Sequence, residues 1–306
     1  YICVFVVTQF IYLKCVFKFF TLFKRKKVLN MKKNRILFVT QEMNPYMEGG
    51  EIAKISRNLP QGVQQRGKEI RTFMPRYGMI NERRNQLHEV IRLSGMNLII
   101  NDDDHPLIIK VASIQSARMQ VYFIDNNEFF SRKHPLTDKS GKYFADNDER
   151  SIFYCRGVLE TVKKLGWTPD LVHCHGWFTS LVPLYIKKAF NEDPNFKDTK
   201  IVTSLYNNGF DGELNKQFGN KAVLDGIDIP DVESLKKPNF EALNRFAAEW
   251  SDGVIIGNKN VHPDTIKHVE SLNIPILKDF TEENYIEAFD NFYDTVLNGI
   301  TVDANL

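Results

Sequence analysis

Cysteine is scarce in this chain of 306 residues: there are four, and two of them, Cys3 and Cys15, sit in an unusual opening segment. Cys155 and Cys174 remain for everything else, too few for a disulfide framework and in keeping with a reducing cytoplasm. Low-complexity tracts are missing, and so is any repeat of about 20 to 50 residues, which excludes solenoids, propellers and other repeat arrays. A strong charge of either sign is missing too, the formal balance being +2. Even that is misleading, because residues 1–30 hold Lys14, Lys18, Lys24, Arg25, Lys26 and Lys27 and no acid. Removing those six from 40 basic residues leaves 34 against 38 acidic ones. A mildly acidic remainder without a basic stripe excludes nucleic acid as a partner.

What is present begins with that opening segment. It is apolar up to residue 23 and basic at 24–27, and Met31 then leads directly into a strand-like run. A secretory signal would place its positive charge before the apolar run and a small-residue cleavage site after it, and neither is seen. Residues 1–23 approach the length of a membrane span, with Lys24 to Lys27 as cytoplasmic charges, although Lys14 and Lys18 interrupt it. The expectation is that Met31 is the true start, that residues 1–30 contribute nothing to the core, and that residues 31–306 form one domain, with no membrane contact unless residues 1–23 belong to the mature protein.

Within that domain, the continuous apolar run at 35–40 predicts a buried parallel strand, followed by a loop at 41–51 and a helix ending near Gly67, with Pro60 as a point of kinking. A second strand at 69–74 closes on Pro75-Arg-Tyr-Gly78. Apolar runs with turn signals between residues 90 and 125 predict hairpins. Thereafter a helix at 148–165, strands at 170–173, 200–205 and 253–257, a short strand at 274–277 and a final amphipathic helix at 282–297 complete the pattern. Strands alternating with helices predict an α/β fold: a single Rossmann-like, doubly wound, mainly parallel sheet with a β-hairpin excursion.

Three groups of residues carry chemistry: the strand and glycine loop at 35–60; the PRYG turn with the 122–125 and 129–132 runs; and residues 143–150 with His173-Cys-His-Gly-Trp-Phe-Thr179. In this order and spacing they resemble the bacterial glycogen (starch) synthase family over most of residues 33–300. The resemblance implies the amino-terminal half of a GT-B fold. It also implies glucosyl transfer from ADP-glucose, the donor substrate, to an α-1,4-glucan with retention, without a further cofactor.

Several positions depart from the family pattern. The family's first loop has a lysine, a variable residue and two glycines, whose backbone N–H groups and charge face a phosphate. Here Glu48 stands at the lysine, Gly49 at the variable residue, Gly50 at the first glycine, Glu51 at the second and Lys54 at a following aspartate. Gly176 and Phe178 replace an aspartate and a histidine of the second motif, and Tyr206, before Asn207, replaces a third histidine. Asp146, Asn147 and Arg150 match, and the resemblance associates them with the acceptor and sugar side of the cleft, Asp146 having helix N-capping as its alternative role. His173 and His175 share one face of a strand end, yet no third metal ligand is evident, so no metal site is expected. The candidate ligand-binding residues are therefore Gly50, Asp146, Asn147, Arg150, His175 and Asn207, with Glu48, Phe178 and Tyr206 as degenerate catalytic positions. A second Rossmann domain of about 200 residues, expected to supply the nucleotide pocket, does not follow. Three roles stay open: a synthase-like protein inactive alone, a non-catalytic module binding α-glucan or a partner, and half of a split enzyme completed by a chain bearing the second domain.

Overall fold

Strand β1, Arg35–Thr40, alternates Ile36 and Phe38 toward one face of a sheet with Leu37 and Val39 toward the other, all buried. That two-sided burial marks a central parallel strand. The computed structural model describes residues 33–299. The expectations for residues 1–30 lie outside the described residues, and no helix among those described is long and apolar enough to cross a membrane.

From β1 the chain enters helix α1, Glu51–Gln65, and returns as β2, Glu69–Pro75, parallel to β1 with Arg35 opposite Glu69. Helix α1 runs unbroken through Pro60, whose ring is buried. Strands β3 (His88–Glu89), β4 (Met96–Ile100), β5 (Asp103–Ile114) and β6 (Met119–Asp125) follow. β5 is antiparallel to β3, β4 and β6, which is the hairpin excursion, while β6 lies parallel to β2. After a one-turn helix α2 (Asn127–Phe130), the long helix α3 (Asn147–Leu165) ends where Gly166 takes a left-handed conformation. Strands β7 (Leu171–His175), β8 (Lys200–Leu205), β9 (Gly253–Ile256) and β10 (Ile276–Leu277) add in parallel on the far side of β1, giving the order β10-β9-β8-β7-β1-β2-β6-β5-β3. Helix α4 (Val182–Lys187) follows β7. Short helices α5 (Phe218–Ala222) and α6 (Phe240–Glu249) fill the polar stretch between β8 and β9, α7 (Pro263–Glu270) precedes β10, and α8 (Tyr285–Asn298) closes the fold.

The chain leaves β1 for β2 on one side and, after the excursion, returns to β7 on the other. This makes the carboxyl ends of β1 and β7 the topological switch point, where open α/β sheets present their ligand crevice. Helix α3 packs on one face of the sheet, with Ile152, Phe153 and Val158 fully buried. Helices α1 and α8 share the other, where Ile52, Leu59, Phe289 and Tyr293 meet Ile36, Phe38 and Leu171. Full burial of an aliphatic or phenyl side chain stabilises by roughly 1.5–3 kcal/mol, so α8 is an integral layer. Glycine permits its close approach: a Cβ on Gly62 of α1 would lie 2.5 Å from Ile286, and one on Gly253 of β9 would lie 2.8 Å from Val296. Lys68 then bonds Asp290 at 2.6 Å and Asp294 at 3.0 Å, fixing the rotation of α8 about its axis.

Candidate functional site

Three loops meet at the switch point. The first follows β1. Thr40 closes a 2.6 Å hydrogen bond with Ser56 of α1, and Gln41, buried, donates its backbone N–H to the His175 carbonyl at 3.1 Å. Burial raises the Glu42 carboxyl above its ordinary value, opposed by a backbone hydrogen bond at Ala53. Glu48, Gly49, Gly50 and Glu51 are exposed, and helix α1 begins at Glu51 with Gly50 as an N-cap that offers no side-chain bond. A carboxylate in the first turn complements the helix dipole. Glu51 therefore occupies, with its own charge, the electrostatic position that an anionic ligand would take, and it also accepts a 2.6 Å hydrogen bond from Asn258 beyond β9.

The second loop leaves β7. Gly176 has φ 86° and ψ 157°, a conformation open essentially to glycine alone, and a Cβ there would lie 2.9 Å from the Gln41 side chain. Glycine at this position is thus built into the turn. Phe178, fully buried, packs between Tyr77, Phe130 and Tyr154. His173 and His175 do share one face, with ring centroids 3.9 Å apart, and both are completely enclosed. His173 bonds Tyr293 of α8 at 2.6 Å and Ser204 of β8 at 2.7 Å, and His175 bonds the Tyr206 hydroxyl at 2.9 Å. Burial drives both imidazoles toward neutrality: the His173 pKa falls well below its ordinary value, with His175 adding to the effect, and that of His175 falls to about 3. Among the described residues no group of three or more His, Cys, Asp or Glu side chains is placed to hold a metal ion.

The third loop follows β8. Tyr206 is buried and stacks on His175, whereas Asn207 is exposed. Asn207 lines an open groove of about 710 Å³ with Tyr143, Phe210, Asp211, Glu213 and Glu241.

The start of α3 is a different kind of place. Asp146 occupies the N-cap position of α3 but makes no capping bond, so the capping role is corrected. Its carboxylate is drawn instead into a two-pronged pair with Arg132 at 2.6 and 2.5 Å, because a guanidinium matches both oxygens at once. Burial acts to raise the Asp146 pKa, but Arg132 outweighs it and the net shift is downward. Asn147 and Arg150 are both fully buried. Arg150 donates to Asn147 at 2.5 Å, to the Phe129 carbonyl at 2.8 Å and to the Pro135 carbonyl at 2.7 Å, while Asn147 donates to the Leu136 carbonyl at 2.8 Å. Together they fasten the segment beside the PRYG turn, where a Cβ on Gly78 would sit 2.2 Å from the Ser131 carbonyl oxygen.

The structure therefore brings Glu48, Gly50, His175, Tyr206 and Asn207 to the carboxyl edge of the sheet and assigns Asn147 and Arg150 to its scaffold. Sequence reasoning missed Gln41, Glu42 and the aromatic groove. The first two were signalled only by their place immediately after β1.

Residues 35–261 match the family model described as the starch synthase catalytic domain. The chain belongs to that family. Within it, the chain is 38% identical to a glycogen synthase of Chlorobium phaeobacteroides over 174 residues, 56% of this chain and 36% of that one. It is 33% identical to a glycogen synthase of Chlorobaculum parvum over 199 residues, 63% of this chain and 41% of that one. The chain thus spans about two fifths of the length of these curated relatives. The catalytic domain of starch synthase IV from Arabidopsis thaliana, solved with ADP and acarbose, shares the fold with a TM-score of 0.62 at 18% identity. It covers 83% of this chain and 53% of its own. The fold is accordingly that of a GT-B Rossmann-like glycosyltransferase domain of the family.

Proposed function

We propose that this starch-synthase-family domain binds α-glucan without transferring glucose on its own. The observation that carries this reading is the glycine loop, where Glu48 and Glu51 replace a lysine and a glycine and point the local electrostatics against a diphosphate. Enclosure of His175 beneath Tyr206 works in the same direction, since an acceptor or donor sugar reaches a buried neutral imidazole only by displacing a stacked ring. Glucan binding is supported by the open groove, whose Tyr143 and Phe210 rings offer stacking faces and whose Asn207, Asp211 and Glu213 offer hydrogen bonds to hydroxyls. Buried thiols at Cys155 and Cys174 fit a cytoplasmic protein.

The test supplies the full chain with ADP-glucose and glycogen, beside an active two-domain synthase, and measures maltooligosaccharide binding in parallel. Glucan binding without elongation is expected. Elongation by the chain alone overturns the reading. Elongation that appears only when a polypeptide carrying the second domain is added would identify the chain as half of a split glucosyltransferase.

A further inference from the structure

The opposite end of the sheet holds a second concavity. At the amino ends of β2 and β6, about 430 Å³ is enclosed by residues that include Gln64, Arg71, Gln115, Arg118, Gln120 and Tyr122. The ladder of β2 and β6 runs from Thr72 opposite Val121, so Arg71 and Gln120 face each other one step toward the strands' beginnings. Ligand crevices of doubly wound sheets lie at the other end, so this cavity owes nothing to the switch point.

Its guanidiniums are placed but not neutralised. Arg71 donates to the Tyr122 hydroxyl at 2.5 Å and lies over both the Tyr122 ring at 5.6 Å and the Trp167 ring at 5.2 Å. This holds the planar group in one orientation while its Nε remains buried with no hydrogen-bond partner, an unusual condition for so strong a donor. Arg118 stands on the β5–β6 turn at φ 51°, exposed. Neither arginine has an ion-pair partner among the described residues. The carboxylate in the lining, Glu69, is already engaged: it accepts from the Trp167 indole at 2.6 Å and faces Arg35 at 3.4 Å. Nearby, Arg57 reaches Ser116 of the same turn at 3.3 Å and adds to the positive field.

We propose that this cavity binds a small phosphate-bearing ligand, with Arg71 and Arg118 on the phosphate and the Gln64, Gln115 and Gln120 amides on neighbouring polar groups. Two guanidiniums suit a phosphate dianion because each presents paired N–H groups to its oxygens. The three amides suit hydroxyls, which favours a phosphate monoester of a polyol over free phosphate, and the volume lies within the range of small-molecule sites.

The test is calorimetric titration of the full chain at low ionic strength with ribose 5-phosphate, inorganic phosphate and ribose. Ribose 5-phosphate is expected to bind and ribose not to. Replacing Arg118, which is exposed and away from the core, as Arg118→Gln should weaken binding by about tenfold or more, with Arg118→Lys recovering part of it. Arg71→Gln should abolish binding, and circular dichroism reports whether it folds. Inorganic phosphate binding as tightly as the monoester would sustain the anion site and make free phosphate the occupant. No binding of either phosphate, equal binding of ribose, or unchanged affinity in Arg118→Gln overturns the proposal.

Discussion

The start of α3 and the glycine loop before α1 both belong to the motifs that carry the family resemblance, yet they obey different physical rules. At α3, a fully buried arginine has its charge distributed over two carbonyls and an amide, and burial lowers its pKa to about 10. In the glycine loop, Glu48 is exposed. A buried charge is held in place by everything that satisfies it, whereas an exposed one is constrained only by what it must bind. Matching residues therefore identify the scaffold more readily than the contact surface, and the altered Glu48 and Glu51 fall where the chain is sterically free to change, whereas the altered Gly176, Phe178 and Tyr206 are held by backbone conformation or packing.

Arg150→Ala would break this contrast most violently. It strips bonding partners from Asn147, Phe129 and Pro135 in a sealed interior and leaves a cavity, so a loss of about 4 kcal/mol or more is expected in urea unfolding. Stability within about 1 kcal/mol of the parent would show that Arg150 does not fasten that segment.

Acidification is the next largest effect. His173 and His175 have folded pKa values depressed below the ordinary 6.5, that of His175 to about 3. The unfolded chain therefore binds more protons, and stability falls as pH drops below about 6.5. Between pH 7.5 and 5.0 the His175 imidazole should remove about 2 kcal/mol, and His173 acts in the same direction. Unfolding free energies of the parent and of His175→Gln, measured across that interval, should differ in slope, and parallel curves would contradict the enclosure of His175.

A smaller loss, about 1 to 2 kcal/mol, is expected for Tyr293→Phe, which removes the hydroxyl from His173 without altering the ring packing. Its pH dependence should change along with its midpoint, which a purely steric role would not produce. At the bottom of the scale, Glu48→Lys should leave stability within about 0.5 kcal/mol, since an exposed loop residue has little to lose. A shift beyond about 1 kcal/mol would place Glu48 among the scaffold residues after all.

The strand at 35–40 is legible because a buried parallel strand is written as a continuous apolar run, those at 69–74 and 200–205 by their place between helical patterns and turn signals, and α8 because its apolar residues recur at helical spacing. The stretch from 206 to 239 reads only as polar and helical, without separable elements, since its short helices and turns bury few apolar residues and without period. At the site, the glycine loop, His175 and Asn207 each lie at or after the carboxyl end of a parallel strand, and it is the strand order of the folded sheet that brings them together. The closure of His173 is not legible in the sequence: its partner Tyr293 lies 120 residues away, and nothing local in either segment announces the other. Of the two roles the sequence leaves open for Asp146, side-chain capping is not taken up, for a related reason. Helix-capping preference is a local property, and Arg132, 14 residues earlier, offers a charged partner that outweighs it.

Helix α8 also governs when this domain can be finished. It covers strands made long before it, and shares with α1 the shielding of the aromatic and imidazole groups of β1 and β7 on that face. During synthesis, at about 5 to 20 residues per second, the sheet would wait for several seconds with Phe38 and His173 incompletely covered until α8 emerges from the ribosome. For that interval part of one face behaves as an exposed sticky surface, and protection of the nascent chain depends on how quickly α8 arrives.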